Sequence, residues 1–513
     1  MCIRLDRPLL ALFIFAIIHI VIFISMRTCP FLDLPNHLAE ATIYQGINRG
    51  DPLFCSYYRS EVSPLKPNIA HLVICGMFPS VEAGNKILYC LYILFFPLLI
   101  HVMIKRMGGN AWAALLVFPF LYNHNTMMGF TGFTLAIPMV LGLFILQDKC
   151  CRCFSVPTFL GIAVLSLLTY YTHVLAFLFT LVLFAGCVIA NFRLDNKRSI
   201  LRSALAGLAI LPSLGILLVW WRTSDETSKH ESLAQYLIQF YRKDYLDSLW
   251  RRMGQLFWND FKSQADGWHG VCLGLMITVP LIALIAISLW SSRRKAFKSD
   301  YYPFIILSMA GLLCYLLLPF EIPGQQYLYD RFSIYFFSGL ILGVSLLTVD
   351  WLEKSLVVLS IFIASLYTLF WLEYCSSFTK CRGNLETILM DLPRRKLMTA
   401  IIDQSCFRGW PAFIHYQNYH IVWNKGIAAT SIINYRFGLI RRQDPKLTPK
   451  EIPYYDEWVF PYYNIATALR EYSNTDLILT RGSRFNRDII ASRKWQLRRQ
   501  AGEWSLYGKS GSD

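Results

Sequence analysis

Charge is what this 513-residue chain has least of. Asp, Glu, Lys and Arg make up 16% of it, against about 25% in a typical soluble protein. With a 55% hydrophobic content and positive mean hydropathy, that deficit excludes an ordinary soluble fold. Metal-ligand spacing is missing too. Of fourteen cysteines, Cys150, Cys151 and Cys153 cluster, but with no second pair at zinc-finger spacing. Cys375, Cys381 and Cys406 leave a disulfide open if their segment lies outside the cytoplasm, with the pairing undecided. There is no internal repeat and no low-complexity segment. No small-x-small cleavage site follows the first apolar run, which reads as an uncleaved span.

What the chain does have is apolar blocks of about 17–25 residues, the length that crosses a hydrocarbon core. About eleven spans are expected, near 9–26, 85–104, 110–122, 127–146, 157–171, 174–191, 203–221, 268–290, 303–320, 332–348 and 354–372. The fold class is an all-α polytopic membrane protein with a small C-terminal α+β domain. Residues 1–375 form the membrane module and 376–513 the hydrophilic domain, with strands expected at Asp476–Thr480 and a helix or strand pair over Trp495–Tyr507. Two long polar stretches, 27–83 and 222–266, interrupt the spans. The first carries an apolar segment, 68–78, too short to cross. The second mixes aromatics with charge and reads as amphipathic helices on a membrane surface.

The net charge is +16, and it is explained by topology before nucleic acid, which is not an expected partner. With the N-terminus in the cytoplasm, alternate connectors hold Lys105/Arg106, Lys149/Arg152, the 193–202 cluster, Arg293–Lys298 and Lys354, while 123–126 and 172–174 hold no Lys or Arg. That is the positive-inside pattern. An odd span count then puts the C-terminal domain outside, on the same face as both long loops.

On that outer face lie Asp33, His37, His71, His124, His173, Glu321, Asp330 and Arg331. Ionisable groups beside apolar spans are costly unless paired or used. Asp33 follows the first span in Phe31-Leu-Asp-Leu-Pro-Asn-His-Leu-Ala-Glu40, where it can cap a helix with Pro35 in the first turn and His37 one turn on. It suits a general base or a holder of a divalent cation. His37 and His173 suit proton transfer or phosphate contact, and the Arg331 fork suits a phosphate. The bland alternatives are a helix cap for Asp33, interfacial hydrogen bonds for the histidines, and an Asp330–Arg331 pair.

Asp33-Leu-Pro-Asn-His37, Pro67-Asn68, Gly129-Phe-Thr-Gly-Phe133 with Pro138, Tyr171-Thr-His173 and Arg331 together resemble the GT-C membrane glycosyltransferases, which use polyprenyl-phosphate sugar donors. The segments Tyr472–Arg481 and Trp504–Tyr507 also look similar, and the nearest likeness is to largely uncharacterised bacterial multi-span members. The resemblance implies a bacterial inner-membrane enzyme with an outer-face site. Asp33, His37 and His173 would be catalytic, and Asn68, His71, His124, Asp330 and Arg331 would bind substrate. Its partners would be membrane lipids, a lipid-linked sugar donor and a polysaccharide, lipid or protein acceptor, with Mg or Mn as the divalent-cation option. Many members of that superfamily carry two adjacent acids in the first loop. Here Leu34 follows Asp33, which weakens the case for a metal, although Glu40 and Glu61 are nearby acids. The other classes weighed are a non-catalytic envelope assembly protein and a secondary transporter, the latter disfavoured by the missing repeat.

The charge pattern makes a direct prediction. Reporter fusions after Lys298 and after Lys380 will report opposite compartments, and cytoplasmic activity of the second fusion would sink the eleven-span arrangement.

Overall fold

The computed structural model describes residues 6–191, 196–223, 237–291, 302–322, 325–346, 350–429, 438–443, 465, 469–470 and 474–510. Its helices are α1 (Arg7–Ser25), α2 (Leu34–Asn48), α3 (Pro52–Tyr57), α4 (Ala70–Met77), α5 (Val81–Arg106), α6 (His124–Met128), α7 (Thr131–Arg152), α8 (Val156–Thr172), α9 (Val174–Asn191), α10 (Lys197–Thr223), α11 (Tyr245–Gln255), α12 (Gly267–Ser291), α13 (Tyr302–Leu317), α14 (Ser333–Val344) and α15 (Asp350–Arg382). The strands are β1 (Tyr58–Ser60), β2 (Leu397–Ile402), β3 (Ile427–Ala428), β4 (Ile440–Arg442), β5 (Leu477–Arg481), β6 (Trp495–Ala501) and β7 (Trp504–Lys509).

Among the described residues, α1, α5, α7, α9, α10, α12 and α15 contain stretches long and apolar enough to cross a membrane, and α8 and α13 are shorter apolar helices. Their lipid-facing stripes are plain. On α1, Leu10, Ile14, Ile17, Val21 and Ile24 are exposed at helical spacing while Leu12, Ala16 and Phe23 are buried. The long block after residue 156 breaks into α8 and α9 at His173, as its polar interruption predicts.

Two of the eleven expected spans take another form. Residues 110–122 give a 3₁₀ helix, Ala111–Phe120, and 332–348 give the twelve-residue α14. Both are walled by protein: the first by α1, α5 and α15, the second by α12 and α13. A segment shielded from lipid need not match the bilayer thickness, so apolarity there records core burial and not span length.

The 222–266 stretch divides likewise. On α11, Leu246 and Trp250 are 69% and 72% exposed, while Arg252 turns inward. Its guanidinium donates to the carbonyls of Tyr315 (3.4 Å), Leu316 (3.1 Å) and Leu318, which end α13. An apolar outer face over an inward arginine suits a membrane surface. Residues 259–264 depart from that reading: Asn259, Asp260, Ser263 and Gln264 are fully buried. They are polar because they bond to other loops and not because they meet water. Residues 224–236, the connectors 192–195 and 292–301, and Tyr472 lie outside the described residues.

The C-terminal region is β-rich. Its mixed sheet runs β3-β2-β5-β7-β6, with β2 parallel to β3 and β5, and β7 antiparallel to β5 and β6. β5 is the strand expected at 476–480, and the 495–507 segment is the β6–β7 hairpin. The sequence boundary at 375 falls inside α15, whose 33 residues reach about 50 Å, longer than a bilayer core is thick. Every described cysteine is a free thiol, so the disulfide option is not realised; Cys381 instead accepts from Arg481.

This domain is bonded to the first loop. β1 pairs antiparallel with β4, Trp423 donates to Glu82 at 3.1 Å, and Arg394 meets Asp51 at 2.5 Å. The domain and residues 27–83 therefore share the end of the bundle where α5 begins. Lys105/Arg106 and Lys149/Arg152 end α5 and α7 at the other extreme. A dye on a single cysteine at position 250 should be quenched by lipid-borne nitroxide, and one at 258 much less. Full water exposure at 250 would remove the surface helix.

Candidate active site

Asp33 occupies the N-cap position of α2, but its side chain makes no capping bond. Pro35 in the first turn removes one of the donors a cap would satisfy. The carboxylate turns elsewhere: its Oδ1 is buried 3.3 Å from Nε2 of His415, a residue of the C-terminal domain. The side chain keeps 16% exposure. One turn along α2, His37 stands 3.7 Å from Glu40 and edge-on to the His71 ring, 5.9 Å away. His71 contacts Asn85 at 3.0 Å, and burial, then the neighbouring His37, bring its pKa down to about 3, which keeps it neutral.

The Gly129–Phe133 motif joins three parts of the site. Leu32 and Asp33 donate their backbone N–H groups to Met127 and Met128 at 2.9 and 3.0 Å. Gly129, at φ +75°, sits so close that a Cβ would lie 2.7 Å from the Asp33 nitrogen. The ring of Phe130 lies 4.0 Å beneath the Arg331 guanidinium. Gly132 is backed by the Thr172 carbonyl, 2.7 Å from where its Cβ would be, and Phe133 is edge-on to His173 at 5.2 Å. One five-residue turn thus registers Asp33, Arg331 and His173 against each other.

Arg331 donates to the carbonyls of Tyr327 (3.1 Å) and Gln326 (3.3 Å) and to His173 Nε2 (3.1 Å). A guanidinium only donates, so Nε2 accepts and Nδ1 carries the hydrogen. Burial, then the Arg331 charge, then His37 hold the His173 pKa well below its ordinary value. The geometry favours a neutral acceptor that orients Arg331 over a proton shuttle. Tyr327 connects this corner to Asp33: burial raises its pKa, and the carboxylates of Asp330 and Asp33 add to the rise.

Asp330 does not pair with Arg331. It is buried and takes Lys262 Nζ at 2.9 Å. The buried 259–264 segment supplies the rest of that corner. Asn259 donates to the Asp330 carbonyl (3.1 Å) and Ser333 (2.9 Å), Ser333 Oγ donates to Asp260 Oδ1 (2.9 Å), and Ser263 Oγ meets His124 Nδ1 at 2.5 Å. Burial pushes the Asp260 carboxyl up to about 7, partly countered by Ser333 and Lys262. His124 is depressed well below its usual value by burial, then by Lys262 and Arg331, so both cations face it. Lys262 is 31% exposed and reachable from solvent. Asn68, at φ +63°, accepts from the Val174 N–H at 2.8 Å and so caps α9 beside His173.

The structure thus gathers Asp33, His37, His71, His173 and Arg331 around α2 and the Gly129 turn, with His124 and Asp330 behind Arg331. Glu321 lies farther along that loop, accepting from Gln326 at 3.1 Å. Sequence reasoning missed His415, Lys262 and Asp260. The second and third carry a signal, a polar Asn-Asp-Phe-Lys-Ser-Gln run right after aromatic residues. Among the described residues no three His, Cys, Asp or Glu side chains converge, and the neighbour of the Asp33 carboxylate is an imidazole, not a second acid.

No family model matches the chain, and no curated protein sequence matches it. A solved structure does, over 99% of both chains, with a TM-score of 0.52 at 10% identity: ArnT from Cupriavidus metallidurans, in a crystal structure bound to undecaprenyl phosphate. The fold is that of ArnT. The largely α-helical, many-helix architecture with a β-rich C-terminal region expected from the sequence is the one found.

Replacing Gly129 by Ala tests the central turn. A left-handed backbone and a Cβ against the Asp33 nitrogen should together cost roughly 1–3 kcal/mol and lower the midpoint of thermal unfolding in detergent. Gly108, also left-handed but with open space around it, serves as the control and should respond less.

Proposed function

We propose that this protein is a membrane glycosyltransferase. It moves a sugar from a polyprenyl-phosphate-linked donor to an acceptor hydroxyl at the outer face of a bacterial inner membrane. The acceptor belongs to the envelope or to another lipid. The observation that carries the reading is the Asp33 carboxylate, placed at the start of α2 with one oxygen buried 3.3 Å from His415 and the side chain still partly accessible. It gains support from the ArnT fold, whose crystal structure is bound to undecaprenyl phosphate. The basic ends of α5 and α7 support an N-terminus in the cytoplasm and a C-terminal domain outside.

The chemistry needs two things of the protein. A base must take the proton of the attacking hydroxyl, and positive charge must meet the departing phosphate. Asp33 is the base: its carboxylate takes the proton as the acceptor oxygen bonds the anomeric carbon. The bond from that carbon to the phosphate oxygen breaks, and its electron pair leaves with polyprenyl phosphate. Arg331, stacked on Phe130 and steadied by His173, receives the phosphate, with Lys262 the second cation of that corner. No step is routed through a metal. His37 with Glu40 lies one turn along α2 from the base, and His71 and His124 are neutral buried neighbours of the site.

Asp33→Asn keeps the size but not the basicity. Sugar transfer from a polyprenyl-phosphate donor by purified protein should fall about 10²–10⁴-fold, and since no capping bond is lost, any thermal shift reads the His415 contact. Arg331→Lys keeps the charge but loses the fork, and should weaken donor binding. Equal turnover in wild type and Asp33→Asn would remove the catalytic reading, and would leave an envelope assembly role in which the C-terminal domain binds and the helices anchor.

A further inference from the structure

The stretch Trp410–Asn418 belongs to the C-terminal domain, yet it reaches three outer-face residues of the membrane module. Trp410 is edge-on to His124 at 5.9 Å, His415 is 3.3 Å from Asp33, and Asn418 donates to Asn36 at 2.5 Å. From Ala412 to Asn418 every residue is buried, though four of the seven carry polar groups. The domain holds this stretch firmly. Phe413 stacks on Phe378 of α15, Tyr416 stacks on Trp504 of β7, and Gln417 donates to the Ala429 carbonyl beside β3.

His415 itself has a left-handed backbone, φ +68°. That conformation is uncommon for a residue with a Cβ and persists only where the surroundings impose it. Here it holds a fully buried imidazole 3.3 Å from the buried oxygen of Asp33, at ion-pair distance but without hydrogen-bond alignment. Other left-handed non-glycine residues, Asn68 and Tyr327, also border this site. At that separation a small turn of the ring brings an imidazole N–H onto one carboxylate oxygen and leaves the other to take a proton, the arrangement by which a carboxylate and a histidine commonly orient each other.

We infer that His415 is the positioning partner of Asp33, so that the C-terminal domain completes the active site and does not serve as a separate binding module. The inference rests on Asp33 being the base. His415 touches neither the sugar nor the phosphate; it acts through Asp33. The other titratable groups facing Asp33 are Tyr327, on the loop that also carries Asp330 and Arg331, and His37 and Glu40 farther along α2; the Gly129 turn presents only backbone.

The test uses the full-length protein in detergent or nanodiscs. His415→Ala should lower kcat about 10- to 100-fold, as loss of a partner that orients a reacting group typically does, with KM for the polyprenyl-phosphate donor little changed. His415→Gln, whose amide nitrogen reaches the place of Nε2, should restore kcat. Should the Ala variant fold poorly, His415→Asn, which tolerates a left-handed backbone, replaces it as the variant whose side chain falls short of Asp33. An unchanged kcat in the Ala variant, or a loss that Gln does not rescue, would make His415 a packing residue and overturn the inference. A thermal-unfolding cycle of Asp33→Asn and His415→Ala separates the two levels of the argument. Non-additive shifts sustain the pairing, and additive shifts overturn it, whether or not sugar transfer is observed. Equal turnover of Asp33→Asn and wild type would instead remove the base assignment, whatever the cycle shows.

Discussion

Two backbone hydrogen bonds, from Leu32 and Asp33 to Met127 and Met128, hold the rest of the site in register. They join the chain leaving α1 to the turn between α6 and α7, where both would otherwise present unpaired N–H and C=O groups at a membrane boundary. Such groups cost heavily when neither water nor a partner meets them. The pairing satisfies both and demands a residue without a side chain at the closest approach, which is Gly129. Once those strands of chain are locked, Phe130, Gly132 and Phe133 fall against Arg331 and His173 without further adjustment. The functional geometry follows from a backbone constraint.

The charged corner behind Arg331 is arranged by division of partners. Asp330 spends its charge on Lys262, and Arg331 is engaged by two carbonyls, an aromatic face and a neutral imidazole. Buried ion pairs are at best near break-even for stability. The Lys262–Asp330 pair is better understood as fixing the 259–264 segment against the loop that carries Arg331, with Asn259, Asp260 and Ser333 closing the network around it. Electrostatic preorganisation of this kind costs folding free energy and is repaid at the reacting centre.

Legibility followed locality. Asp33, His37, His173 and Arg331 stand out because each is ionisable beside an apolar run, a signal available within about ten residues. The break at His173 and the strand at β5 were legible for the same reason. Whether a side chain binds substrate or holds the fold was not legible. Asn68 looks like a ligand residue, yet its carbonyl oxygen caps α9, because its own loop and the start of α9 meet only in three dimensions. Apolar length did not give helix type or length where protein replaced lipid as the surrounding medium, at Ala111–Phe120 and α14. His415 was out of reach altogether. It lies in a short apolar run 382 positions from Asp33, and their meeting depends on scattered long-range contacts such as the β1–β4 pairing and the Arg394–Asp51 ion pair.

The exchange of an acid for a histidine beside Asp33 has its own logic. Two carboxylates within about 4 Å of each other repel, and one is driven toward its protonated form unless a cation neutralises both. A first-loop acid pair therefore makes its best sense with a metal. An imidazole imposes no such requirement, since it can donate to a single carboxylate and needs no third group to settle the charge. Leu34 follows Asp33 and His415 lies across from it, so the group nearest the carboxylate comes from the C-terminal domain. That contact gives a physical reason why a sheet domain is bonded so closely to the first loop.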